Sequence, residues 1–172
     1  MDLDEFVRKL SSFDSQAAHE LESCAADNPR LCVEIVKSLL LSQTRGDDPA
    51  LCSFAVQQIR KAGAASEFAD WVASSWPSLP WLARRKILYC VGDDQTVTIT
   101  TELASRLFHH PTTSVKERQL ILAGLAVTAR HRGCIELVYE LIPQVGRYDE
   151  PDRQSSLDNL IRSIQSSYPL PM

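Results

Sequence analysis

The sequence predicts an all-α protein of about ten helices, on three observations. Apolar residues recur at i, i+3, i+4 and i+7 through nearly the whole chain, the period of one helix face. Proline, glycine and Asp/Asn signals punctuate these stretches at short, even intervals. The uncharged run from Leu120 to Ala129 is apolar around a full helical circumference, which predicts a helix covered by neighbours on every side.

The first helix spans Leu3 to Leu10, with Leu3, Phe6, Val7 and Leu10 on one face. Ser11, Ser12 and Asp14 offer caps to a second, alanine-rich helix that ends near Ala26, with Leu21 its only large aliphatic residue. Asn28-Pro29 stops that helix and starts the next, because asparagine caps well and proline suits the first helical position. Cys32, Ile35, Val36, Leu39 and Leu40 form the buried stripe of the third helix. The start signal Asp48-Pro49 echoes Asn28-Pro29, and Cys52, Ala55, Val56 and Ile59 carry the same spacing to Gly63. Ala65, Phe68, Ala69 and Val72 define a fifth helix that reaches Trp76 before Pro77. A sixth begins after Pro80 and carries Trp81, Ile87, Leu88 and Val91.

Thr96 to Thr100 alternates with period two and is β-branched, as a strand would be. With no second strand to pair with it, an isolated strand is physically unattractive. Leu103, Ala104, Leu107 and Phe108 continue a helical pattern, so Gln95–His109 is read as helix. Ser114-Val115-Lys116-Glu117 matches a capping box and fixes the start of the apolar helix, which Gly133 ends. Ile135, Val138, Leu141, Ile142 and Val145 follow, with Pro143 bending or shortening that helix. Leu157, Leu160, Ile161 and Ile164 form the last helix, and residues 166–172 are expected to fray.

Alternate helix starts at Asp14, Asp48, Pro80 and Thr113 are 34, 32 and 33 residues apart. A near-constant step of one helix pair is the mark of an α-solenoid. In this organisation residues 14–165 resemble HEAT and armadillo repeats, while Glu22–Ile59 is faintly similar to VHS and polymerase-tail-binding domains. The resemblance implies antiparallel helix pairs stacked in a short right-handed superhelix, one domain over residues 1–172, with one helix layer open to a partner. Within it Gly124 would permit close backbone approach to the apolar helix.

Composition is that of a globular chain, 44% hydrophobic and 23% charged, with a net charge of −4. The charge is uneven. Residues 1–78 hold 7 basic and 12 acidic side chains, residues 79–134 hold 8 and 4, and residues 135–172 hold 3 and 6. No apolar stretch approaches the roughly 20 residues that cross a bilayer. The acidic start Met1-Asp2-Leu3-Asp4-Glu5 is unlike a signal peptide, so a cytoplasmic or nuclear protein without membrane contact is expected.

No phosphate-binding glycine loop, HExxH, GxSxG or paired-carboxylate motif is present. Five cysteines lack CxxC spacing and read as reduced core thiols, against a zinc set drawn from Cys90, His131 and Cys134. His109 and His110 suit a helix C-terminus better than catalysis. No cofactor is expected, and nothing in the spacing sets an oligomeric state.

One polar pattern remains. Arg84 and Arg85 begin one helix, Lys116 and Arg118 begin the helix one step later, and Arg153 follows after 35 more residues. Stacked repeats would align them as a basic ladder, either for an acidic partner segment or for salt bridges between repeats through Glu117 and Asp152. The leading expectation is a non-enzymatic protein-interaction scaffold. The second is a nucleic-acid binder similar to HEAT-like DNA glycosylases, with Arg84, Arg85, Lys116, Arg118, Arg130 and Arg132 on phosphates and Trp76 or Trp81 stacking on bases. A sequence pI near 5.5 disfavours it. The third is a hydrolase or metalloenzyme with dispersed site residues.

Overall fold

The computed structural model describes residues 2–42, 49–90, 97–132 and 134–169, and of Pro49, Tyr89 and residues 97–100 and 128–132 only the backbone. These residues form ten α-helices: α1 (Leu3–Ser11), α2 (Ser15–Asp27), α3 (Pro29–Leu41), α4 (Pro49–Lys61), α5 (Ala65–Ser75), α6 (Trp81–Tyr89), α7 (Val97–Phe108), α8 (Val115–Arg132), α9 (Ile135–Leu141) and α10 (Pro151–Ser167). Short 3-10 turns follow α5 at Trp76–Ser78 and α9 at Ile142–Gln144, each built around its proline. No strand occurs among the described residues, and α7 includes Val97–Thr100. The β-branched alternation there yields to the helical stripe of Leu103, Ala104, Leu107 and Phe108, all buried.

Local chemistry sets most boundaries. Asp14 accepts the Ala17 amide at 2.9 Å, and Asn28 accepts the Leu31 amide at 3.3 Å with Pro29 beginning α3. Each satisfies an amide that the helix itself leaves unpaired. Behind those caps the expected stripes are buried: Cys32, Ile35, Val36, Leu39 and Leu40 in α3, Cys52, Ala55, Val56 and Ile59 in α4, and Phe68, Ala69 and Val72 in α5. In α10, Leu157 and Ile164 are buried while Leu160 and Ile161 are half-buried. That helix runs through Ser167, and the Tyr139 hydroxyl donates to the Tyr168 carbonyl at 2.8 Å, so regular structure reaches into the stretch where fraying is expected.

Helices touch in two ways. Several sequence neighbours pack together, among them α1 with α2, α2 with α3, α3 with α4, α7 with α8 and α8 with α9. Contacts also skip one helix: α1 meets α3 and α5 meets α7, while α2, α4, α6, α8 and α10 form an unbroken chain of neighbours. Lys86 strengthens this framework from inside. Its buried ammonium donates to the carbonyls of Leu39 at 3.2 Å and Ser42 at 2.7 Å, which fastens α6 to the C-terminal end of α3. A cation there meets both the unpaired carbonyls and the negative end of the helix dipole.

The apolar helix departs from its expected burial. In α8, Ile121, Leu122 and Leu125 are enclosed, but Leu120 is 37% exposed and Val127 58%. Neighbours α6, α7, α9 and α10 all contact α8. They leave one strip open beside α10, and the sequence run is apolar there as well. Leu122→Ala is therefore expected to cost about 2–5 kcal/mol, and Val127→Ala within about 0.5 kcal/mol, in denaturant melts. Equal losses at the two positions would contradict this division of the helix.

Two turns have the same hydrogen bonds but different residues at the left-handed position. After α4, Gly63 (φ 68°) donates to the Arg60 carbonyl while Ala64 donates to Ile59. After α1, Phe13 (φ 60°) donates to Leu10 while Asp14 donates to Lys9. Both are Schellman caps, where glycine avoids the Cβ penalty. Phe13→Gly is expected to raise stability by about 0.5–1 kcal/mol; a decrease in the melting midpoint would show that the ring contributes packing that outweighs its strain.

Candidate interaction face

The 3-10 turn before α6 and the opening residues of α6, α8 and α10 carry Trp76, Trp81, Arg84, Arg85, Lys116, Arg118 and Arg153, which the structure divides into an inner and an outer set. Arg130 and Arg132 stand at the opposite end of α8. Trp76 is 0% exposed, and its indole Nε1 donates to Thr113 Oγ1 at 2.9 Å. Thr113 passes the chain on, donating to the Leu107 carbonyl at 2.6 Å. No face of this indole is open to a base or a partner.

Arg84 lies against Trp76, its guanidinium carbon 4.9 Å from the ring centroid, and pairs with buried Glu117 at 3.0 Å. The Ser114 amide and hydroxyl each donate to the other Glu117 oxygen at 2.7 Å, and the Glu117 amide donates back to Ser114 Oγ at 3.3 Å. The capping box read from Ser114 and Glu117 thus forms, and it also supplies the counterion for Arg84. Burial pushes the Glu117 carboxyl up, but the two Ser114 donors and the Arg84 guanidinium outweigh it and hold it below the usual range. Arg118 is also turned inward. Its Nε donates to the Phe108 carbonyl at 3.1 Å and its guanidinium lies over the Phe108 ring.

The outer set is smaller. Trp81 is 43% exposed, and Lys116 places its ammonium 4.6 Å from the Trp81 ring centroid. Arg85 is exposed on the same turn of α6 as Arg84. Lys116 and Arg153, with Gln119, Leu120, Tyr148 and Ser156, line a hollow of about 250 Å³ between α8 and α10. Arg153 pairs with Glu150 at 3.2 Å, both well exposed. Tyr148 supports the wall: its amide donates to Gln154 Oε1 at 2.9 Å and its hydroxyl donates to Gln119 Oε1 at 2.6 Å. Burial pushes the Tyr148 phenol up, which keeps it a neutral donor at pH 7. The side chains of Arg130 and Arg132 lie outside the described residues.

The outer set thus places Lys116 against the exposed Trp81 ring, with the Arg153–Glu150 pair across the hollow. Among the described residues no three His, Cys, Asp or Glu side chains gather as metal ligands would. The His131 side chain of the expected zinc set lies outside them, while Cys90 is buried and Cys134 Sγ lies 3.6 Å from Thr101 Oγ1. Burial, with Cys24 adding to it, pushes the Cys32 thiol up to about 11, so it is a poor nucleophile. Among the described residues no helix is long and apolar enough to cross a membrane.

Sequence reasoning missed Lys86, though a signal was present: it falls within the stripe of Ala83, Ile87 and Cys90 at core spacing. Comparison with protein-family models, curated proteins and solved structures finds no match to the chain.

Proposed function

We propose that the chain is a non-enzymatic scaffold of stacked helix pairs, similar in organisation to HEAT repeats, that binds an acidic segment of a protein partner in the cytoplasm or nucleus. The observation that supports the stacking is a group of side-chain contacts between residues about one helix pair apart in sequence. Trp76 reaches Thr113, Arg84 reaches Glu117, Asp70 reaches Arg106 and Thr101 reaches Cys134, at separations of 37, 33, 36 and 33 residues. These separations lie within a few residues of the 32–34-residue step between alternate helix starts. Lys86 to Leu39 at 47 and Tyr148 to Gln119 at 29 depart from it. The contacts accompany the unbroken row α2, α4, α6, α8, α10. In a solenoid each repeat contacts mainly its neighbours and one helix layer faces the partner.

Within that row Trp81, Lys116 and Arg153 face outward, while Arg84 and Arg118 serve the frame. The ladder is therefore split between binding and inter-helix bonding. Capture from lysate at low and high salt, with Lys116→Glu/Arg153→Glu as the control, tests this reading. A protein partner retained by the wild type at low salt and lost by the double variant is expected. A partner captured equally by both contradicts the cationic face. Affinity for DNA or RNA with a steep salt dependence would favour the nucleic-acid reading instead.

A further inference from the structure

The open strip of α8 continues beyond the cationic hollow. Leu120 lines the hollow with Lys116 and Arg153, and Ala123, one turn on, lines a second hollow of about 320 Å³ with Ala126, Val127, Leu160, Ser163, Ile164 and others. On α10, Ser156 borders the first and Leu160, four residues later, the second. The two hollows thus follow one another along a single α8–α10 seam. From Lys116 to Val127 it extends about 16 Å, or about three helical turns. One end carries Lys116 and Arg153, the latter paired with exposed Glu150 at 3.2 Å, and the rest is mainly apolar.

We infer that this seam seats an amphipathic helical segment of a partner protein, its apolar face on Leu120, Ala123, Val127 and Leu160 and its acidic end at Lys116 and Arg153. The inference rests on the protein-binding reading above and specifies its partner. Apolar positions at i, i+3 or i+4, and i+7 of such a segment match the length of the strip, which is how a helix lies in a groove. The small side chains Ala123 and Ser163 let it approach closely, and the exposed Val127 gives it surface to cover.

A second copy of the chain fits less well. A two-fold axis across the seam would lay each Lys116 end over the other's apolar end. An axis along it would oppose Lys116 and Arg153 to the same cations, with only Glu150, already paired with Arg153 at 3.2 Å, to offset them. Nucleic acid would find phosphate-binding groups at one end only, with an apolar floor beyond.

The test uses a display library of peptides of about 15 residues, apolar at i, i+3, i+4 and i+7 and randomised elsewhere, selected on the full chain. Enriched peptides are expected to carry Asp or Glu at one end. They are also expected to bind Val127→Asp and Lys116→Glu/Arg153→Glu about tenfold or more weakly than the wild type, read by fluorescence anisotropy. Val127 and Lys116 are exposed, so circular dichroism melts should match the wild type. No enrichment, Lys- or Arg-rich sequences, or binding indifferent to Val127→Asp would overturn the inference. So would a homodimer in sedimentation that Val127→Asp dissociates. If the lysate partner is lost with Lys116→Glu/Arg153→Glu but retained by Val127→Asp, the seam is wrong while the protein-binding reading stands.

Discussion

Replacing Trp76 with alanine is expected to destabilise the fold by about 3–5 kcal/mol, the range for a fully buried aromatic side chain. The indole is wholly enclosed, so truncation leaves a cavity that surrounding helices can close only in part. It also removes the donor to Thr113 and the ring face beneath Arg84. Trp76→Phe separates these effects. It keeps most of the apolar volume and loses the indole N–H, for an expected cost of about 1–3 kcal/mol. Urea midpoints of the two variants check this, and a Trp76→Ala loss below about 1 kcal/mol would place Trp76 outside the core.

Glu117→Ala is expected to cost about 3–5 kcal/mol, because it strands a largely buried guanidinium and removes the glutamate half of the capping box in one step. The pair also makes a pH prediction. The Glu117 carboxyl is held below its ordinary value of 4.5 in the folded chain, so the unfolded chain binds its proton more readily. Its contribution to stability is fully present above that ordinary value. It is lost as pH falls from there through the lowered folded value. Glu117→Gln should remove this part of the acid-side slope and be less stable at pH 7. An acid limb of the stability curve unchanged by Glu117→Gln would contradict the assignment.

Much of the frame can be read from residue order because its determinants are local. Asn28-Pro29 and Ser114 with Glu117 satisfy helix amides within three residues of themselves, and the apolar stripes of α3 and α4 follow from spacing alone. The direction of individual cations is not local. The sequence offers salt bridging through Glu117 but does not say which cation takes it, because the flexible stems of Arg84 and Arg118 let their guanidiniums reach partners on other segments: Glu117 at a separation of 33 residues, and the Phe108 carbonyl at 10. The exposure of Val127 is hidden for the converse reason. Apolar spacing marks which residues could be buried, and only the placement of α10 decides that one strip of α8 is left uncovered.

The most direct measurement is amide hydrogen exchange of the full chain with and without its captured partner. Added protection is expected in the first two turns of α8 and α10 and at the start of α6, around Trp81, Lys116 and Arg153. Protection confined to α1, α3, α5 or α7, with α8 and α10 unchanged, would show that the partner uses the opposite layer and that the outward cations are not its binding face.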